Sequence, residues 1–224
     1  MKKDIWESGL ASEIEFWRDV LSGGNAAFNA ELRARADPNA PVQAGILAEL
    51  PARPSAEIKI LDVASGPISW CGWLIDGKKA NVTAVDALAD VYNMLLDEYK
   101  ISPPIRTIKG EAETLVEQFG KNQFDLVHIL NALDHCYDPL RAVKEMLDVA
   151  KSDGVVFIQG NLNEAEAAQY DGLHQWNIDV REGKLVFWNR TGVVVVEDHL
   201  PKVKITANSW PDGRWMNAYV RKTV

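Results

Sequence analysis

Residues 58–86 constrain what this chain can fold into more than any other stretch. Ile58, Ile60, Leu61 and Val63 form a short apolar run that stops on Ser65, Gly66 and Pro67. That is the pattern of a strand buried in a parallel sheet and ended by a tight turn. A second apolar run, Val82 to Val85, ends on a lone acid, Asp86, about twenty residues later. At that offset a βαβ unit sets the turn and the acid at the carboxyl ends of neighbouring strands, and an acid so placed meets a ribose diol.

Beyond this unit, strands and helices alternate. Strands are predicted over residues 58–63, 81–86, 105–109, 124–130 and 155–160. Helices over residues 70–75, 88–98, 112–119 and 139–150 separate them. The result is an α/β, Rossmann-like doubly wound sheet with right-handed crossovers. Asp62, Asp86, Gly110 and Asn131 all fall at predicted carboxyl ends, the edge at which such sheets bind ligands.

Ahead of the sheet, Leu10, Ile14, Trp17 and Leu21 recur at helical spacing, so residues 8–21 read as an amphipathic helix stopped by Gly23-Gly24. Residues 29–36 and 42–50 read as shorter helices, with breaks at Asp37-Pro38 and at residues 51–54. Residues 1–54 are thus expected to form a helical cap on a domain of residues 55–224, effectively one domain. Trp6, Phe16 and Trp17 either pack that cap on the domain or close over a ligand. After Gly160, residues 176–188 read as a β-hairpin turning at Glu182-Gly183, an addition of about residues 173–190 near the substrate opening. Residues 192–197, 202–207 and 215–221 are further strand candidates.

Composition narrows the function classes. A chain of 224 residues, 47% of them hydrophobic, buries a large single core. Lys and Arg total 24 against 32 Asp and Glu, a net charge of −8, so neither nucleic acid nor an acidic membrane is an expected partner. No run of eighteen uncharged apolar residues occurs, and the reading is a cytoplasmic monomer or homodimer. Cys71 and Cys136 lack paired-ligand spacing and read as free thiols.

Asp62-Val63-Ala64-Ser65-Gly66-Pro67 resembles the first motif of class I S-adenosylmethionine-dependent methyltransferases, in particular the type 11 methyltransferase domain. The usual form of that motif is an acid, any residue, then Gly-x-Gly. Asp86 matches the second motif, residues 110–113 resemble the adenine-side loop, and residues 124–131 resemble the fourth strand with its active-site end. The resemblance covers roughly residues 55–160. Ala64 stands where the first glycine is usual, which alanine tolerates if φ stays negative. The resemblance implies S-adenosylmethionine as cofactor, with S-adenosylhomocysteine as its product. It also implies a cofactor set of Asp62, Ala64, Ser65, Gly66, Pro67, Asp86, Ala87, Leu88, Gly110, Glu111, Ala112 and Asn131. Asp86 would hold the ribose, Gly66 would let backbone approach the cofactor, and the following helix N-terminus would add amide donors. The sixth and seventh strands of the template, both antiparallel, would fall at residues 203–206 and 216–221.

Acceptor chemistry is expected in residues 131–139. His135 or Asp134 is placed to take a proton as methyl arrives, and the near-neutral pKa of imidazole favours His135. No metal is expected, because consecutive residues at a strand-to-helix turn seldom converge on one ion. His128, inside an apolar strand, reads as a satisfied core histidine. Asn163, Glu164, Tyr170, His174, Gln175 and Trp176 form a second polar and aromatic concentration that suits a sugar or other small polyol, or packs the hairpin. The function expected is methyl transfer to a small-molecule acceptor by in-line displacement. The alternatives are an NAD(P)-dependent oxidoreductase, which shares the strand, turn and ribose acid, and a non-catalytic cofactor- or partner-binding module.

Overall fold

The structure, a computed structural model, describes residues 3–52 and 58–223, so the expected cap boundary at residues 54/55 lies outside the described residues. Helices α1 (Lys3–Ser22), α2 (Ala26–Arg35) and α3 (Ala44–Leu47) come first. Next are β1 (Lys59–Val63), a small ribbon of β2 (Leu74–Ile75) and β3 (Lys78–Lys79), β4 (Asn81–Asp86), α4 (Ala89–Glu98) and β5 (Ile108–Lys109). Then α5 (Leu115–Phe119), β6 (Phe124–Leu130), α6 (Pro139–Val149), β7 (Ala150–Asn161) and α7 (Glu164–Ala167) follow. The chain closes with β8 (Asn177–Arg181), β9 (Lys184–Asn189), β10 (Gly192–Val195), β11 (Val203–Ser209) and β12 (Trp215–Lys222).

Seven strands make the main sheet in the order β11-β12-β7-β6-β1-β4-β5. β12 is antiparallel to both β7 and β11, so β11 shares the direction of the five parallel strands and β12 alone carries the reversal. Alternation along β1 divides the core. Leu61 and Val63 face α6, which packs Ala142, Val143 and Met146 beneath them. Ile58 and Ile60 face the opposite layer, where Tyr92, Leu95 and Leu96 of α4 meet Val20, Leu21, Leu32 and Ile46 of the N-terminal helices. The N-terminal helices therefore bury their apolar stripe in the core of the sheet itself. Asp62 lies on that same side.

Several boundaries moved. α1 begins at Lys3, five residues before the expected start, and stops on Gly23 with φ +96, as Gly23-Gly24 had indicated. Asn25 caps α2 by accepting from Phe28 N at 3.1 Å. The third strand shrinks from residues 105–109 to β5, an edge with one neighbour. The helix expected over residues 70–75 is absent. Its backbone groups bond to the 40–43 segment instead: Trp73 N and Leu74 N donate to Ala40 O, and Val42 N donates to Leu74 O. Gly72, at φ +84, lets the two segments touch, since a Cβ there would sit 2.1 Å from Pro41 O. The glycine turn is consequently not followed by a helix, and the amide donors expected from one do not exist.

The expected hairpin is two strands of a three-stranded antiparallel sheet, β8-β9-β10. Its turn at Glu182 and Gly183 has φ of +52 and +76, the two positive values of a type I′ hairpin. Ile178, Leu185 and Phe187 bury its inner face on the α6 side of the core. Among the described residues no helix is long and apolar enough to cross a membrane.

Candidate functional site

A cavity of about 710 Å³ opens over the carboxyl ends of β1, β4, β5 and β6, with α1 as its roof. Trp6, Leu10, Glu13 and Trp17 lie at intervals of four, three and four along α1, which puts all four on one helix face, and all four line the cavity. Of the cofactor set implied by the resemblance, every member except Pro67 lines it too. Pro67 is buried, and its carbonyl accepts from Thr107 Oγ1 at 3.3 Å.

Asp86 ends β4 with both carboxylate oxygens engaged. Gly66 N donates to Oδ2 at 3.0 Å, and Leu88 N donates to Oδ1 at 2.9 Å. A carboxylate offers about four lone-pair positions, so two remain for a ligand's pair of hydroxyls. Burial raises its carboxyl to about pH 6, against the lowering effect of the two amide bonds. The glycine turn is thus tied to the ribose acid through Gly66 N. Gly66 itself has φ +65, and a Cβ there would press on Trp17 Cζ2 at 3.0 Å. Both the turn and the roof require its bareness.

Ala64 departs from expectation. Its φ is +49, the left-handed region in which glycine is at ease and alanine is strained by roughly 1 kcal/mol or more. Ala64→Gly is therefore expected to raise stability by about 1 kcal/mol, a Tm gain of about 2–4 °C for a chain of this size. A calorimetric melt showing a loss would contradict that strain.

On the far side of Asp86, Gly110 N donates to Asp86 O at 3.1 Å. A Cβ on Gly110 would lie 2.1 Å from Gln118 Oε1 and 2.6 Å from Val85 Cγ2, so only glycine fits there. Glu111 faces the roof: Lys3 Nζ pairs with it at 2.7 Å and Tyr137 Oη donates to it at 3.2 Å. Glu113 is buried, accepts from Asp138 N at 3.1 Å, and is raised by burial to about 7. Ala112 lies between them at the cavity wall.

Asp62 anchors a buried polar chain. Its Oδ2 accepts from Ser69 Oγ at 2.6 Å, and its Oδ1 lies 2.8 Å from His128 Nδ1. His128 Nε2 reaches Gln159 Oε1 at 3.1 Å, and Gln159 donates on to Asn217 Oδ1. His128 is thus the satisfied core histidine expected of it. Cys71, beside this group, and Cys136 are both free and buried, and burial holds both thiols well above their usual range. Asn131 stands at φ +48 past the end of β6 and accepts from Asn161 N, bracing β6 against β7 at the cavity.

At the other end of the cavity His135 and His174 face one another, their rings 4.5 Å apart. Behind them the buried carboxylate of Asp134 holds His174 Nδ1 at 2.7 Å, and that bond raises the His174 pKa. Glu164 joins this wall. The other four residues of the expected acceptor set do not line the cavity. Asn163 accepts from Trp188 Nε1, Tyr170 Oη accepts from Asn177 Nδ2, Gln175 donates to the carbonyls of Tyr170 and Gly172, and Trp176 packs against the core. No lining residue comes from β8, β9 or β10, so the added sheet packs and does not shape the opening. The sequence reading missed Glu13, Phe28, Glu31, Arg35 and the Trp210 and Trp215 pair of the β11–β12 turn. Glu13 was legible as a member of the Trp6, Leu10, Trp17 stripe once α1 is given its full length. The others carry no local signal.

A family profile described as a methyltransferase domain matches residues 61–158. No curated protein matches the chain. Among solved structures, an S-adenosylmethionine dependent methyltransferase from Mesorhizobium loti is similar with a TM-score of 0.51 and 13% identity, covering 80% of this chain and 96% of that one. The DhpI–SAH complex is similar with a TM-score of 0.51 and 14% identity, covering 100% and 99%. At such identity these likenesses speak for the fold, while the profile speaks for the domain. Its matched residues include the glycine turn, Asp86 and the 110–113 loop, so residues 61–158 of this chain are similar to a methyltransferase domain.

Proposed function

We infer that this methyltransferase acts on a small hydroxylated molecule bound between the cofactor and the His135–His174 pair. The observation that carries the reading is the roofed cavity. Its 710 Å³ falls within the roughly 300–1,000 Å³ of small-molecule sites, and α1 covers it along a full helix face. When bound, S-adenosylmethionine supplies a methyl group already activated on its sulfonium. What remains for the protein is to bind, align and exclude water. Asp86 would hold the ribose hydroxyls, the turn at Gly66 would let the methionine tail approach backbone, and Gly110 to Glu113 would flank the adenine. His135 and His174 would meet the acceptor atom, with Asp134 behind them holding His174. The net charge of −8 disfavours a nucleic-acid acceptor.

His135→Ala is the direct test. The roof bond from Trp6 Nε1 goes to the His135 carbonyl at 2.9 Å, so alanine keeps it. Single-turnover transfer is expected to slow about 100-fold while S-adenosylhomocysteine affinity changes less than about threefold. An unaltered rate would remove His135 from the chemistry. The rival nicotinamide reading is tested by thermal shift: S-adenosylhomocysteine should stabilise the protein, and NAD or NADP should not.

A further inference from the structure

Three lone-pair atoms converge at the acceptor end of the cavity. His174 Nδ1 is 2.7 Å from Asp134 Oδ2 and 3.2 Å from His135 Nε2, and the remaining side of the triangle is 3.7 Å. A proton on His174 Nδ1 can be shared between Asp134 Oδ2 and His135 Nε2, and a cation at the centre could replace that proton and bond all three atoms. Ligand atoms about 3 Å apart are what a first-row divalent ion with bonds near 2.1 Å asks of adjacent ligands.

We propose that Asp134, His135 and His174 bind a divalent first-row cation, two imidazoles and one carboxylate on one side and open positions toward the cavity on the other. The surroundings suit this. His135 Nδ1 would then carry the proton on the side of Glu13 Oε2, which lies 4.0 Å away and adds negative charge beside the ring. Glu13 is itself fixed by Trp17 Nε1 at 2.8 Å, and Glu164 adds negative charge on the same wall. Gln175 N reaches the Asp134 carbonyl at 3.4 Å, and the Gln175 side chain staples its own loop, so His174 is held against the 133–135 turn. A second group with converging ligand atoms, Asp62, Cys71 and His128, is wholly buried. There Asp62 Oδ2 already accepts from Ser69 Oγ and Trp70 N, and His128 is held on its other side by Gln159, so that group is tied into the fold by hydrogen bonds.

Resting on the reading that the acceptor enters at this end, the open positions select an acceptor whose reactive hydroxyl has a second oxygen beside it. Such an acceptor would chelate the ion, which would lower the pKa of that hydroxyl.

The test uses tag-free protein, stripped with chelator and titrated with Co²⁺, read by calorimetry and by the visible absorption of the bound ion. One site per chain is expected. His174→Ala and His135→Ala should each weaken it roughly 100-fold or more. Circular dichroism and S-adenosylhomocysteine binding, both expected to be kept in these variants, show that each variant is folded. Cys71→Ser should leave Co²⁺ binding intact. No saturable Co²⁺ binding, binding that survives both histidine variants, or binding lost only in Cys71→Ser overturns the proposal. Co²⁺ binding without S-adenosylhomocysteine binding would instead sink the cofactor reading and leave the metal site standing.

Discussion

Asp86→Ala is expected to weaken S-adenosylhomocysteine binding by about 100-fold. Two charge-assisted hydrogen bonds to a ribose, each contributing on the order of 1.5 kcal/mol or more, amount to that ratio. The same change strips Gly66 N and Leu88 N of their acceptor, so the turn loses its tether as well. Asp86→Asn keeps the shape and removes the charge, and it should cost about tenfold. The titration follows from the raised pKa. Burial favours the protonated acid in the free protein, so the ionised form of Asp86 is carried at a loss of stability as pH rises through about 6. The ribose hydroxyls bind the ionised form, so ligand affinity should be level above about 6 and fall by up to tenfold per unit below it. In Asp86→Asn that dependence should vanish. Calorimetry finding Asp86→Ala unimpaired would remove the ribose from this carboxylate.

Trp17→Ala should produce the largest loss of stability. Trp17 is 8% exposed and packs edge-on against Phe16 and Tyr92 and at a tilt against Phe28. Its indole also bonds Glu13 and closes over Gly66. Truncating a tryptophan so placed costs about 3–5 kcal/mol, a fall in Tm of about 10 °C. Because the ring is at once core and cavity roof, S-adenosylhomocysteine affinity should fall with it, whereas a tryptophan that only packed would leave affinity in the still-folded protein unchanged. A melt within about 2 °C of the parent would show that α1 is not joined to the core as its contacts indicate.

Much of the frame was legible in residue order. The second and fourth strands were placed within their observed bounds, because Val82 to Val85 and residues 124–130 are apolar runs that only a twice-covered parallel strand needs. Pro139 after Asp138 marked the start of α6, where Asp138 accepts from Arg141 N. Glu182-Gly183 marked a hairpin turn. Local chemistry sufficed for each of these, since the cause lies within a few residues of the effect.

The failures have the opposite cause. Residues 70–75 stand where the alternation of strand and helix calls for a helix, but their amides are taken by a segment about thirty residues earlier, and no window along the chain contains both. Alanine at position 64 reads as a residue for negative φ, yet the turn that brings Ser65 N to Val85 O holds it at +49. The aromatic cluster of residues 170–176 reads either as a wall for substrate or as packing for the hairpin, and folding sends Tyr170 and Gln175 to brace their own loop while the His174 side chain crosses to the Asp134 carboxylate. By itself the sequence determined the parallel sheet, the strand-end acid and the cofactor family, because strand period, turn residues and motif spacing are short-range properties. Only the tertiary structure decided that α1 roofs the site and that two imidazoles meet one carboxylate, because those groups come from segments 40 to 130 residues apart and are neighbours solely through the shared core.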